Sequence, residues 1–216
     1  AKLFWVWQNN IKRRKRMAET IKERPIIFSA PMVSAILDGR KTQTRRIAKS
    51  IGIVPGIGPV CNGSDNIRDW PQFCQYGKPG CRLWVKETYC KHGALISYKA
   101  DDDWIAEYRK SSDFNVIDNP KWKPSIHMPR IASRITLEIT DIRVEQLQDI
   151  SEEDALAEGV NIYAPYVGVD CEGNVIESDI ISWMPSDYYR ELWESINGKG
   201  SWDLNPWVWV IQFKRI

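Results

Sequence analysis

Gly39-Arg40-Lys41-Thr42-Gln43-Thr44-Arg45-Arg46 comes one residue after the apolar run Pro31-Met32-Val33-Ser34-Ala35-Ile36-Leu37, and the reading of this junction decides the fold. Met32, Ala35 and Ile36 fall at i, i+3 and i+4, which is one apolar face of a helix, and Asp38-Gly39 is a stop signal. The octapeptide therefore leaves a helix C-terminus and enters an extended segment. In a regular strand, alternation puts Lys41 and Gln43 on one face and Thr42 and Thr44 on the other. A bend or bulge at that point brings Lys41 and Thr44 together. One lysine, two hydroxyls and three arginines in eight residues suit a place where an anion or a polarised carbonyl is held beside a nucleophile. The plain alternative is a solvated charged turn with hydroxyls as caps.

Around this junction the chain alternates short periodic segments with long Gly/Pro-rich ones. Pro25-Ile26-Ile27-Phe28 reads as a strand start, and Arg82-Leu83-Trp84-Val85-Lys86-Glu87-Thr88 as a strand with Leu83 and Val85 on one side. The clearest strand is Ile135–Val144, which alternates over ten residues. Ser151-Glu152-Glu153-Asp154 has the form of an N-cap with acids in the first turn, opening a helix that ends at Glu158-Gly159. Residues 187–196 read as an amphipathic helix stopped by Asn197-Gly198, and Trp207–Phe213 as a closing strand. The stretches near 52–80, 101–128 and 161–185 read as loop insertions, uncommon in compact domains unless they serve a function. Few helices, separated strands and long loops predict one α+β domain over residues 24–216, built on a small barrel-like sheet.

Composition narrows the function classes. The chain has 216 residues, 43% of them hydrophobic, with 11 Trp and a net charge of +2. Six cations and no acid lie in residues 1–16, which leaves the remainder at −4. Broad electrostatic binding by the body is therefore disfavoured, and any basic surface there is local. Residues 1–23 are set apart as a basic N-terminal extension. It reads as a nucleic-acid arm or localisation signal, or equally as non-native or disordered sequence, since Met17-Ala18-Glu19-Thr20 makes a start of its own. No run approaches the ~18 apolar residues of a membrane span, so a cytoplasmic protein with no membrane partner is expected. Cys61, Cys74, Cys81, Cys90 and His92 lie close in sequence, but no C-x-x-C pair occurs among them. Zinc and disulfides are disfavoured, and the cysteines read as reduced thiols, buried or in loops.

Taken in order, Gly39-x-Lys41-x-x-Thr44-x-Arg46, Arg82-Leu83-Trp84-Val85-Lys86-Glu87, a helix-end Glu-Gly and a terminal Val-Ile-x-Phe strand resemble the ASCH domain of the PUA-like superfamily. Lys41–Arg46, Tyr98-Lys99-Ala100-Asp101, Pro124–Arg130 and Gln148–Ala155 resemble the phage and prophage members of that family. The resemblance implies a PUA-like (ASCH) small β-barrel with flanking helices and a cleft for RNA or a modified nucleobase or nucleoside. It also relates the chain to small amidohydrolases that cleave N4-acetylcytidine with a lysine, a threonine three residues on and a distant glutamate. Lys41 and Thr44 match the first two, and Glu158 matches the third through its Glu-Gly context.

The chemistry is coherent. A threonine hydroxyl attacks only once a base takes its proton, and a lysine is such a base when burial or a neighbouring cation lowers its pKa. Arg40, Arg45 and Arg46 are the candidate neighbours. Without that lowering, Lys41 stays an ammonium and holds phosphate. Arg40, Arg46, Trp84 and Lys86 are the candidate nucleic-acid or base contacts. Arg46 serves phosphate, base or an acid, while Trp84 serves a base stack or the core. His127 reads as packed or hydrogen-bonded. No cofactor or metal is expected, and the chain is expected to be a monomer. Three functions remain open: RNA or nucleoside binding, metal-independent hydrolysis of N4-acylcytidine, and binding of a host protein by a phage protein through its insertions.

Overall fold

The computed structural model describes residues 22–54, 58–92, 95–101, 121–160 and 184–216. Residues 1–21 of the extension, 102–120 of the second predicted insertion and 161–183 of the third lie outside them. The strands are β1 (Glu23–Ile27), β2 (Gln43–Ile47), β3 (Ile51–Val54), β4 (Gly58–Cys61), β5 (Arg82–Lys86), β6 (Tyr89–His92), β7 (Leu95–Tyr98), β8 (Thr136–Gln146) and β9 (Trp207–Arg215). The helices are α1 (Ala30–Leu37), α2 (Glu152–Ala157) and α3 (Pro185–Asn197). Among the described residues, five strands form one sheet in the order β1-β5-β8-β9-β2, while β3–β4 and β6–β7 are separate two-stranded ribbons. Only β1–β5 runs parallel. The fold is α+β with a mostly antiparallel sheet.

β9 organises it. Val208, Trp209, Val210 and Ile211 are all buried, because both faces of this strand are covered. Trp209, Ile211 and Phe213 join Leu83, Val85, Leu137 and Ile139 in the main core. Val208 and Val210 face the other way, onto Ala155 of α2 and Tyr189 and Trp193 of α3. Each fully buried side chain of this size contributes about 1.5–3 kcal/mol. β2 pairs with β9 and forms one edge of the sheet, and β1 forms the other. Among the described residues no ladder joins these two edges. A side chain joins them instead: Arg46 Nη2 donates to the Ile27 carbonyl at 2.6 Å.

Several expectations change. Glu23, assigned to the extension, begins β1 and pairs with Arg82. The stretch 52–80 is not an irregular loop: it holds the β3–β4 hairpin and a 3₁₀ helix over Ile67–Phe73. Trp70 on that helix is buried, edge-on to Trp207 at 5.4 Å. Gly52 and Pro59 lie within the paired strands of the hairpin, which its composition hid. The alternation of β8 is not continuous either. A register shift between Ile139 and Asp141 moves the buried positions from Leu137 and Ile139 to Ile142, as a β-bulge does. His127 is exposed rather than packed.

Candidate functional site

The site begins where α1 ends. Gly39 takes φ +77 and turns the chain back, and the Lys41 N–H donates to the Ala35 carbonyl at 2.9 Å. The Thr42 N–H then donates to the Ala157 carbonyl at the end of α2. β2 starts only at Gln43, so Lys41 lies outside the regular strand. This is why alternation fails here: Lys41 and Thr44 are both buried, each 2% exposed, with the exposed Thr42 between Lys41 and Gln43.

The partner of Lys41 comes from α2. Ser151 caps that helix, its hydroxyl accepting from the Asp154 N–H at 3.2 Å, as its sequence predicts. The helix ends at Glu158, and Gly159 takes φ +80. A Cβ on Gly159 would lie 2.8 Å from the Cβ of Lys41 and 3.0 Å from that of Ala35. Glycine thus lets the helix end close directly onto Lys41. Lys41 Nζ donates at 2.7 Å to both the carboxylate and the main-chain carbonyl of Glu158.

Arg45, a predicted neighbour of Lys41, is part of the same network. Its side chain is fully buried and donates to Glu158 at 3.4 Å, to Asp154 at 2.8 Å and, through Nε, to Glu145 at 3.1 Å. Arg143 donates in turn to Glu145 and Asp154. Lys41, Arg45 and Arg143 balance Glu158, Glu145 and Asp154 in charge. Burial draws the Lys41 ammonium below its ordinary pKa against the pull of Glu158, and Arg46 and Arg45 add to the lowering. Burial also pulls on Arg45, but Glu158 and Glu145 outweigh it and hold that guanidinium above its ordinary value. Burial raises Tyr189 well above its ordinary value, and Glu158 adds to this. Of the two cations bonded to Glu158, Lys41 alone is shifted towards its neutral form.

A narrow cleft enclosing about 50 Å³ lies along the outer edge of β2. Thr44, Arg45, Arg46 and Glu158 line it, with Met32 of α1 and Tyr189, Leu192 and Trp193 of α3. Lys41 is not in the lining and stands behind Glu158, bonded to it. The Thr42 carbonyl accepts from Phe213 and the Ala48 N–H donates to Trp207, so even-numbered residues of β2 turn their peptide groups towards β9. The main-chain groups of Arg45 point to the open edge.

The base-contact candidates part company. Arg46 lines the cleft, but it is also a structural tie, bonded to Ile27 and lying 5.2 Å over the Phe28 ring. Arg40 is outside the lining and pairs with Asp38 at 3.0 Å. Trp84 and Lys86, on β5, do not line the cleft either. Lys86 and Arg130 lie 5.6 Å and 6.0 Å from the centre of the Trp84 ring. Sequence reasoning missed Glu145, Asp154, Tyr189 and Trp193. Asp154 looked only like a first-turn acid, and the i, i+4 spacing of Tyr189 and Trp193 showed a buried face without showing what it covers. Cys61, Cys74, Cys81 and Cys90 are buried free thiols. Among the described residues no cluster of His, Cys, Asp and Glu could hold a metal, and no helix is long and apolar enough to cross a membrane.

No family model matches this chain, and no curated protein or solved structure matches it either.

Proposed function

We propose that the chain is an ASCH-type protein of the PUA-like superfamily whose cleft takes a nucleobase or nucleoside, and that it hydrolyses the N4-acyl group of acylated cytidine without a metal. One observation carries this reading: a wholly buried lysine held at 2.7 Å on a carboxylate that, together with a buried threonine, lines a cleft. A lysine placed to grip phosphate would offer its ammonium to the cleft. Lys41 is withdrawn behind Glu158, in surroundings that lower its pKa, which suits proton transfer better than charge pairing.

In the proposed reaction, Thr44 Oγ bonds to the acyl carbon and gives its proton to neutral Lys41. The C–N4 bond then breaks as the leaving amine takes that proton back through Glu158. Water, deprotonated by the same base, cleaves the acyl-threonine ester, releasing the carboxylic acid and restoring Thr44. The positive charge of Arg46 beside the cleft steadies the tetrahedral oxyanion. A positioned general base contributes about 10²–10⁴-fold, so Lys41→Met should lower acetate release from N4-acetylcytidine by at least that factor. Turnover unchanged by Lys41→Met, or absent in the wild type, refutes the enzymatic reading.

A further inference from the structure

Helix α3 turns two neighbouring stripes towards two different spaces. Tyr189, Trp193 and Ile196, at i, i+4 and i+7, line the narrow cleft with Thr44 and Glu158. Tyr188, Glu191 and Ser195, at i, i+3 and i+7, line a second groove together with Pro31 of α1 and with Gly159 and Val160 after α2. Leu192 falls between the stripes and lines both spaces, and so does Met32 of α1. Both residues are half-buried. The cleft and the groove therefore adjoin, and Leu192 and Met32 form the neck between them. The cleft encloses about 50 Å³ and the groove about 330 Å³. A cavity of about 150 Å³ holds a benzene ring, and a single water needs about 10–15 Å³. The cleft thus has room for a few heavy atoms but not for a ring, while the groove has the size that small ligands occupy. Thr44 and Glu158 line the cleft and not the groove.

On the footing that the chain hydrolyses acylated cytidine, we propose that Leu192 and Met32 are specificity-determining residues that limit the size of the acyl group. The substrate is seated in two parts. A short acyl group passes the neck into the cleft that Thr44 lines, and the nucleoside ring lies in the groove between α1 and α3. An acyl group that carries a ring of its own is larger than the cleft and is held out at the neck. Methionine is unbranched and adapts its shape, so Leu192 sets the firmer limit. One methylene too many in an apolar pocket changes kcat/KM by about 10–200-fold, and a phenyl ring in place of a methyl group exceeds that difference in size. The neck therefore selects acetyl over aromatic acyl groups.

The test compares N4-acetylcytidine with N4-benzoylcytidine in the wild type, Leu192→Ala and Met32→Ala, each confirmed as folded by its unfolding transition. Leu192→Val takes the place of the alanine variant if that one does not fold. Acid release and, in separate titrations, affinity are measured for both compounds. The wild type should favour the acetyl compound at least tenfold in kcat/KM, and Leu192→Ala should narrow that preference about tenfold, with a smaller change in Met32→Ala. Equal rates on the two compounds in the wild type, or a preference unchanged in a folded Leu192 variant, overturn the neck and leave the hydrolase reading standing. If neither compound is hydrolysed, but the wild type binds the acetyl compound more tightly and the Leu192 variant loses that preference, the neck stands and the hydrolase reading falls. Neither turnover nor a binding preference overturns both.

Discussion

Among the described residues, carboxylates are buried against cations in two places, and they differ in what surrounds them. On the β5 side, Glu87 is held by Arg134 through two bonds of 3.0 Å, and Arg134 also grips Asp101 and lies 3.9 Å over the Tyr98 ring. On the β2 side, Glu158 is held by Lys41 and Arg45. The first cluster uses an arginine that stays charged, and none of its members line the described cleft beside β2. The second uses a lysine that burial draws below its ordinary pKa, and its Arg45 and Glu158 line a cleft. Burial of charge is common to both and so does not mark function. What sets the second cluster apart is a lysine drawn towards its neutral form beside a cleft.

Breaking the comparison should first show its common part. Removing one partner of a buried pair costs about 3–5 kcal/mol. Arg45→Met should lose this much in urea unfolding. Arg134→Met should lose less, because a quarter of its side chain is exposed. If Arg45→Met unfolds at wild-type urea, its network is not what holds α2 against β2. The next effect in size belongs to Gly159. An alanine there must take φ +80 and press on the Cβ atoms of Lys41 and Ala35, costing about 1–3 kcal/mol. Gly80, also at positive φ but with nothing within 4 Å of an added Cβ, should lose only the conformational part.

Opposite pH slopes sharpen the contrast further. Lys41 has a folded pKa below its unfolded value of ~10.4. Between the two the unfolded chain binds more protons, so stability rises with pH across that window and is lost as pH falls through the folded value. Glu87 is raised by burial, against the pull of Arg134. Above its unfolded value of ~4.3 the folded chain holds the extra proton, so this contribution falls as pH rises through the folded value. Chemical unfolding across pH should flatten in the alkaline limb for Lys41→Met and in the acidic limb for Glu87→Gln. The smallest effect is expected from Trp84→Ala, which should leave cytidine affinity unchanged. Weaker binding in that variant would move base contact to the β5 face.

Local signals in the sequence were accurate. The Asp38-Gly39 stop, the Ser151 cap, the Glu158-Gly159 terminus and the inward side of β5 all stand where local chemistry put them. The helix-end glutamate is the carboxylate that Lys41 meets. What escaped was set by distant contacts. Arg45 meets Glu145 and Asp154 across about a hundred residues of chain. Nothing within the octapeptide could show that both faces of β2 are covered, which buries Gln43, Thr44 and Arg45 in a row. The bulge in β8 and the paired strands inside 52–80 were hidden for a related reason. Pairing partners, not residue type, make a strand of Gly- and Pro-containing sequence.

The central claim is that Thr44 attacks while Lys41 and Glu158 manage its proton. The most direct measurement compares acetate release from N4-acetylcytidine by the wild type, Thr44→Ser and Thr44→Val, each confirmed as folded by its unfolding transition. The serine variant keeps a hydroxyl in the cleft and should retain measurable turnover. The valine variant keeps the shape without the hydroxyl and should lose about a thousandfold or more. Release by Thr44→Val at the wild-type rate would contradict the account.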